Sequence, residues 1–182
     1  MNHILVGDGH YRGAPGELER WSALVARVEA HGVQAFSILG DFFELWLAVD
    51  GVMPPWQHSM LEPVRALKER GVTLRYVIGN KDYFVAEWNR RHALFDEVVD
   101  GTVVVPSPSG PLHLAHGDLV NYADTQYRRW RAFSRSWPVR ALARALPNRW
   151  LRSLGERVAQ GLEGVRRHLA REPEPFGREA AP

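Results

Sequence analysis

The 182-residue chain has no cysteine. That removes disulfides, thiolate nucleophiles and thiolate metal ligands together, leaves oxygen and imidazole as metal donors, and is easiest to reconcile with a reducing compartment. The opening MNHILVGDGH lacks a basic stretch followed by an apolar one, and no uncharged apolar run approaches membrane-spanning length. The expected location is therefore the cytoplasm, without a transmembrane helix. Acidic residues are nearly missing from one stretch: residues 125–171 hold Glu156 and Glu163 against twelve arginines. Residues 1–124 carry ten basic and sixteen acidic side chains, and residues 172–182 one basic and three acidic. A net charge of +2 thus conceals an acidic body with a basic appendage.

The acidic body alternates short β-rich runs with helical patterns, which predicts an α/β fold. Ile4–Val6, Ala35–Leu39, Leu74–Ile78 and Leu112–Ala115 are the strand candidates. Leu18, Trp21, Leu24, Val25 and Val28 recur at helical spacing, as do Met60, Leu61, Val64 and Leu67 after the start signal Pro54-Pro55. Thr102–Val105, PSPSG and Leu112–Ala115 read as a hairpin, so a mixed sheet is expected. From Thr125 the pattern becomes helical, with arginines interleaved among Trp130, Trp137 and Trp150. Pro138 and Pro147 divide it into at least three pieces. The domain reading is a core over 1–124, a basic aromatic helical insertion or cap over 125–171, and a disordered tail over 172–182.

Each strand candidate runs directly into polar residues: Asp8-Gly9-His10, Gly40-Asp41, Gly79-Asn80-Lys81-Asp82 and His116-Gly117-Asp118. The intervals between them each accommodate one strand–helix–strand unit, so all four clusters are expected on the carboxyl edge of one sheet, where open α/β sheets hold ligands. Carboxylates, imidazoles and an amide oxygen form a mixed oxygen and nitrogen set suited to manganese, zinc, iron or magnesium. Two divalent ions close together need a shared anion, and Asp41 is the bridging candidate. Each piece also has a plain alternative. Gly-Asp and Gly-Asn are common turn chemistry, His116 alone could be a satisfied core imidazole, His113 is read as structural, and Lys81 could be a solvated turn residue paired with Asp82.

The order Asp-x-His, Gly-Asp, Gly-Asn-x-Asp, His-Gly-Asp resembles the calcineurin-like metallophosphoesterases, αββα sandwiches that hold two metals. Gly40-Asp41-Phe42-Phe43-Glu44-Leu45-Trp46, His116-Gly117-Asp118 and Asp124-Thr125-Gln126-Tyr127-Arg128-Arg129-Trp130-Arg131 resemble more narrowly the branch that hydrolyses UDP-2,3-diacylglucosamine in lipid A synthesis. The resemblance covers residues 4 to about 131 closely and the basic helices only in position and character. It implies Asp8 and His10 on the first metal, Asp41 between the metals, Asn80 and His116 on the second, and Asp124 on the substrate side. Asn80 and Lys81 would act on the phosphate. The branch has arginine where this chain has Lys81, which keeps the charge and loses the bidentate fork.

By the same resemblance the cofactors are two divalent ions, manganese foremost, and the reaction is diphosphate hydrolysis to UMP and 2,3-diacylglucosamine 1-phosphate. The basic helices fit a peripheral position on the inner membrane, with arginine stems and tryptophans at the interface. Nucleic acid is the less favoured partner for the same composition, and outward arginines over leucines packed on the body are the structural alternative. A phosphodiesterase acting on another nucleotide, an inactive metal-binding relative and a basic binding module remain alternative functions. The resemblance also implies a late Gly-His-x-His loop with one histidine for each metal. The only histidine after His116 is His168, so a C-terminally truncated fold with an incomplete site, weak metal binding and slow or absent turnover is expected of these 182 residues.

Overall fold

The computed structural model describes residues 2–107, 110–120, 125–155 and 157–158. In chain order the elements are β1 (His3–Val6), α1 (Glu17–Ala30), β2 (Ala35–Ile38), β3 (Trp46–Leu47), α2 (Pro55–Glu69), β4 (Thr73–Val77) and β5 (Asp82–Tyr83). There follow α3 (Val85–His92), β6 (Glu97–Val99), β7 (Thr102–Ser107), β8 (Gly110–Ala115), α4 (Thr125–Ser134) and α5 (Trp137–Ala145). Residues 148–155 form a further helical stretch.

β1, β2, β4 and β6 make one parallel sheet in that order. The architecture is α/β, each parallel neighbour being reached through a crossover that contains a helix. α1 buries Trp21, Val25 and Val28, while Leu18 and Leu24 of its expected stripe stay exposed. α2 starts at Pro55, where a missing N–H costs no helical bond, and buries Met60, Leu61, Val64 and Leu67. Trp21 closes its indole onto the Met60 carbonyl at 2.9 Å, so the two helices share a polar contact within the core.

The structure corrects the expected sheet in two respects. The four-stranded sheet is wholly parallel and not mixed, and its fourth strand is β6, a three-residue segment that the sequence reading passed over. β7 and β8 form the expected hairpin as a separate antiparallel pair. Val105 and Leu114 of the hairpin bury themselves against Val77 and Leu39, which seats it beside the carboxyl end of the parallel sheet. Pro138 and Pro147 break the basic segment as expected, at the start of α5 and just before the 148–155 stretch. No helix among the described residues is long and apolar enough to cross a membrane. The 172–182 tail lies outside the described residues.

Candidate metal centre

Sheet order decides which loops meet. β1, β2 and β4 are successive neighbours, and adjacent strands lie about 4.8 Å apart, so the loops leaving their carboxyl ends run side by side. These loops carry Asp8 and His10, Asp41, and Asn80 and Lys81. The first two are zipped by backbone hydrogen bonds: Asp8 N–H to Gly40 O at 3.2 Å, His10 N–H to Asp41 O at 3.0 Å and Tyr11 N–H to Phe42 O at 3.0 Å. Beneath them an aromatic stack of Tyr11, Trp21, Phe42, Phe43 and Trp46 makes edge-to-face and tilted contacts 4.7 to 5.7 Å apart, a rigid and dry floor.

Asp8, His10 and Asp41 all have left-handed backbones, at φ 51°, 47° and 49°. Such a conformation costs a non-glycine residue about 1–2 kcal/mol, and it persists where the surroundings enforce it, characteristically at sites of function. Here it lets one ligand atom of each approach the others within 4.8 Å. His10 places Nε2 3.7 Å from Asp8 Oδ1. Burial, with the Lys81 ammonium adding to it, pushes the His10 pKa down, toward the neutral imidazole that a metal requires.

Asp41 is 2% exposed. Burial raises its pKa against the opposing pull of the Lys81 N–H, His116, His10 and the Lys81 charge. On its far side His116 Nε2 lies 3.8 Å from Asp41 Oδ2 and 3.1 Å from Asn80 Oδ1. His116 Nδ1 faces the Leu39 carbonyl at 2.8 Å, and a carbonyl oxygen only accepts. Nδ1 therefore carries the hydrogen, which leaves Nε2 facing the two oxygens. Asp8, His10 and Asp41 form the group that could hold a metal ion, and Asn80 and His116 lie against the other side of Asp41.

Two glycines permit this approach. A Cβ on Gly40 would lie 2.6 Å from the Gly79 nitrogen and 2.7 Å from His116 Nδ1, and one on Gly79 would lie 2.3 Å from Asp41 Oδ1.

Two carboxylates that stand in the quoted motifs, but to which the sequence assigned no role in the site, support it from below. Asp82 is buried, and its Oδ2 accepts the N–H of Gly79 at 2.7 Å, the N–H of Asp41 at 3.0 Å and the hydroxyl of Tyr76 at 2.9 Å. Burial, with nearby Asp41, pushes its pKa up to about 6. Glu44 also lies under the site, accepting from Lys81 Nζ at 3.0 Å and from Arg12 Nη2 at 3.1 Å, with His10 Nδ1 3.9 Å away. Burial pushes Glu44 up, but Lys81, Arg12 and His10 outweigh it and hold the pKa below the ordinary range. Lys81 thus pairs with Glu44 and not with Asp82, which corrects the turn-residue alternative. An acid inside the apolar run Phe42-Phe43-Glu44-Leu45-Trp46 was the available signal.

A cleft of about 670 Å³ opens beside Arg12 and Glu44, lined largely by Leu45, Leu47, Val52, Met53 and Trp56. The basic segment does not turn its arginines uniformly outward. Arg140 reaches Glu87 at 3.0 Å and Arg152 the Gly51 carbonyl at 2.7 Å, while Trp137 is 79% exposed and Trp130, Trp150, Leu142 and Leu154 also face outward. Leu151 is buried, so only part of the leucine set packs on the body. His113 is exposed on β8 and is not part of the Asp8, His10 and Asp41 group. Asp124 lies outside the described residues, as does His168.

The chain is similar to UDP-2,3-diacylglucosamine hydrolases. That of Stutzerimonas stutzeri is 30% identical over 155 residues, covering 85% of this chain and 64% of the relative. Those of Pseudomonas fluorescens, 30% identical over 155 residues, and Aromatoleum aromaticum, 34% over 122, cover 85% and 66% of this chain and 61% and 49% of the relatives. The chain spans about three fifths of the length of the curated relatives it matches along most of its own length. No protein-family model matches it. Among solved structures, a protein of unknown function from Aquifex aeolicus aligns with TM-score 0.44 and 17% identity over 72% of this chain and 71% of that one, a likeness too slight to bear on the fold.

Proposed function

We propose that this chain is the metal-binding part of a calcineurin-like hydrolase that cleaves the diphosphate of UDP-2,3-diacylglucosamine, releasing UMP and 2,3-diacylglucosamine 1-phosphate. The observation that carries the reading is the gathering of Asp8, His10 and Asp41 from two loops, with Asn80 and His116 across Asp41. The relatives, UDP-2,3-diacylglucosamine hydrolases by name, supply the substrate.

Two divalent ions bound there, manganese foremost, would take up charge on the phosphoryl oxygens and acidify a water. Asp41 would serve both ions with one carboxylate. Lys81, held by Glu44 at 3.0 Å and 3.4 Å from His10 Nδ1, would offer an ammonium to a phosphate oxygen at that edge. Phosphoryl hydrolysis asks mainly for positioning and charge stabilisation, and the residues present are of that kind.

The apolar cleft beside Arg12 and Glu44 is large enough for hydrocarbon and lies next to the charged cluster, as a substrate with a polar diphosphate and greasy acyl groups would need. The exposed Trp130, Trp137 and Trp150, among arginines, suit a membrane surface where such a substrate resides. The helices from residue 125 onward are read as a cap on the 1–124 core. Asp124, next to Thr125 at the start of α4, is assigned to the substrate side.

The test is UMP release from UDP-2,3-diacylglucosamine in the presence of manganese. Release that requires the metal and vanishes in Asp41→Ala supports the reading. Manganese-dependent cleavage of bis-p-nitrophenyl phosphate without UMP release would transfer it to another phosphodiester. Loss of neither activity in Asp41→Ala would sink the site.

A further inference from the structure

We propose that α4 is a positioning strap for the Asn80 and His116 loops, with Tyr127, Arg131 and Arg135 as positioning residues. This inference rests on the two-ion reading of the site. The three side chains stand four residues apart, and Arg135, the residue directly after α4, still bonds its N–H to the Arg131 carbonyl at 3.2 Å, so they share one face at the helical repeat. Tyr127 donates to Asp118 Oδ2, and Arg131 Nε donates to the same oxygen at 3.0 Å. Arg131 also reaches Asp100, which Arg135 Nη1 joins at 2.7 Å, and Arg135 Nη2 donates to the Gly79 carbonyl at 2.6 Å.

Asp118 stands two residues after His116, Gly79 stands one before Asn80, and Asp100 follows the last strand of the parallel sheet. One helix face thus fastens the flanks of both loops that carry the second group of donors. It touches neither Asp8 nor His10, which are zipped to the β2 loop by backbone bonds.

His116 needs such a strap more than the others. Asp8, Asp41 and Asn80 follow adjacent strands of one hydrogen-bonded sheet, whereas His116 comes from the separate β7–β8 hairpin, which is seated by apolar contacts and by the one hydrogen bond from His116 Nδ1 to the Leu39 carbonyl. Apolar packing is non-directional and leaves sliding freedom that a lone-pair geometry cannot tolerate. The charged contacts supply direction: the side chains of Arg131, Arg135 and Asp118 are 15%, 12% and 9% exposed, so the bonds to Asp118 and to the Gly79 carbonyl are partly shielded from water, while Asp100 stays 40% exposed.

A bland alternative is that these arginines only attach a helix to an acidic body. The two are separated by manganese calorimetry on the 182-residue protein, with Arg75→Ala as a control. Arg75 pairs with Glu97 at 2.6 Å with comparable exposure, but on the sheet away from the ligand loops. Expected are a roughly tenfold weaker second manganese step in Arg135→Ala and Tyr127→Phe, the usual order for lost support of a ligand, a first step within about twofold, and Arg75→Ala unchanged. Equal weakening of both steps, or an equal effect from Arg75→Ala, overturns the inference.

Should the wild-type protein take up fewer than two ions, the two-ion reading fails, and backbone amide spectra of the metal-free protein still decide the strap. Tyr127→Phe removes the hydroxyl bonded to Asp118 and leaves the Arg135 bond to the Gly79 carbonyl in place, so shifts at Asn80 and Lys81 report coupling through α4. Shifts confined to the neighbourhood of Asp118 mean local attachment and overturn the inference. Tyr127→Phe loses one hydroxyl and keeps the ring, so it serves even if Arg135→Ala does not fold.

Discussion

Asp82 holds Asp41 from behind, its Oδ2 accepting the Asp41 backbone N–H at 3.0 Å while also accepting Gly79 N–H at 2.7 Å. One buried carboxylate therefore sets the spacing between the two loops that carry Asp41 and Asn80. Its removal leaves those N–H groups and the Tyr76 hydroxyl without their acceptor, at about 1–3 kcal/mol for each buried group. Asp82→Ala should lose about 3 kcal/mol or more in denaturant unfolding, and Asp82→Asn, which keeps one acceptor oxygen, should recover most of it. Equal losses would show that the oxygen is not what matters.

Asp41→Ala should abolish manganese-dependent phosphoesterase activity and reduce manganese uptake far more than His113→Ala. Asp41 would serve both donor groups, whereas His113 faces solvent on β8. Calorimetry beside the activity assay checks this, and equal losses without unfolding would contradict the bridging role.

Gly79→Ala should weaken manganese binding by roughly tenfold or more, because its Cβ would meet Asp41 Oδ1 at 2.3 Å and push a ligand aside. Gly71→Ala is the comparison. Its Cβ would meet nothing within 4 Å, but its φ of +82° strains an alanine, so it should cost about 1–2 kcal/mol of stability and leave manganese binding alone.

Lys81→Met should lower turnover while leaving manganese stoichiometry intact, and Lys81→Arg should retain more activity than Lys81→Met, since the phosphate contact needs the charge. Glu44→Gln should fall between them, because it loosens the ammonium without removing it. Turnover of Lys81→Met at the wild-type rate would return Lys81 to an ordinary turn residue.

Acid stability should depend on His3. Burial, and then the Arg75 charge, lower its folded pKa below the usual 6.5, so the unfolded chain binds the proton first. Its contribution is present above about 6.5 and is lost as pH falls from there through the folded value. Urea unfolding of the metal-free protein should show this decline, and His3→Gln should flatten it. An unchanged slope in His3→Gln would remove His3 from the account.

Local pattern was enough for much of the molecule. Four strands began within a residue or two of their expected places, because apolar runs ending in Gly, Asp and Asn mark both the strand and its end. The helix breaks at Pro138 and Pro147 followed from a ring that cannot donate the helical hydrogen bond. That Asp8, His10 and Asp41 could meet was legible because parallel strands carry the loops at their carboxyl ends to one edge. β6 escaped because a three-residue strand with exposed Glu97 and half-buried valines has no period long enough to read.

Partnership across the chain was not legible. Whether Lys81 meets Asp82 or Glu44 depends on where the fold carries each carboxylate: the Asp82 side chain is turned inward, its Oδ2 on Asp41, Gly79 and Tyr76, while Glu44 reaches the Lys81 ammonium at 3.0 Å. The hairpin's place outside the parallel sheet, and with it the approach of His116 to Asn80, depends on Val105 and Leu114 finding Val77 and Leu39. Spacing along a chain limits what can be reached, but burial and hydrogen-bond competition among distant residues select which contact forms.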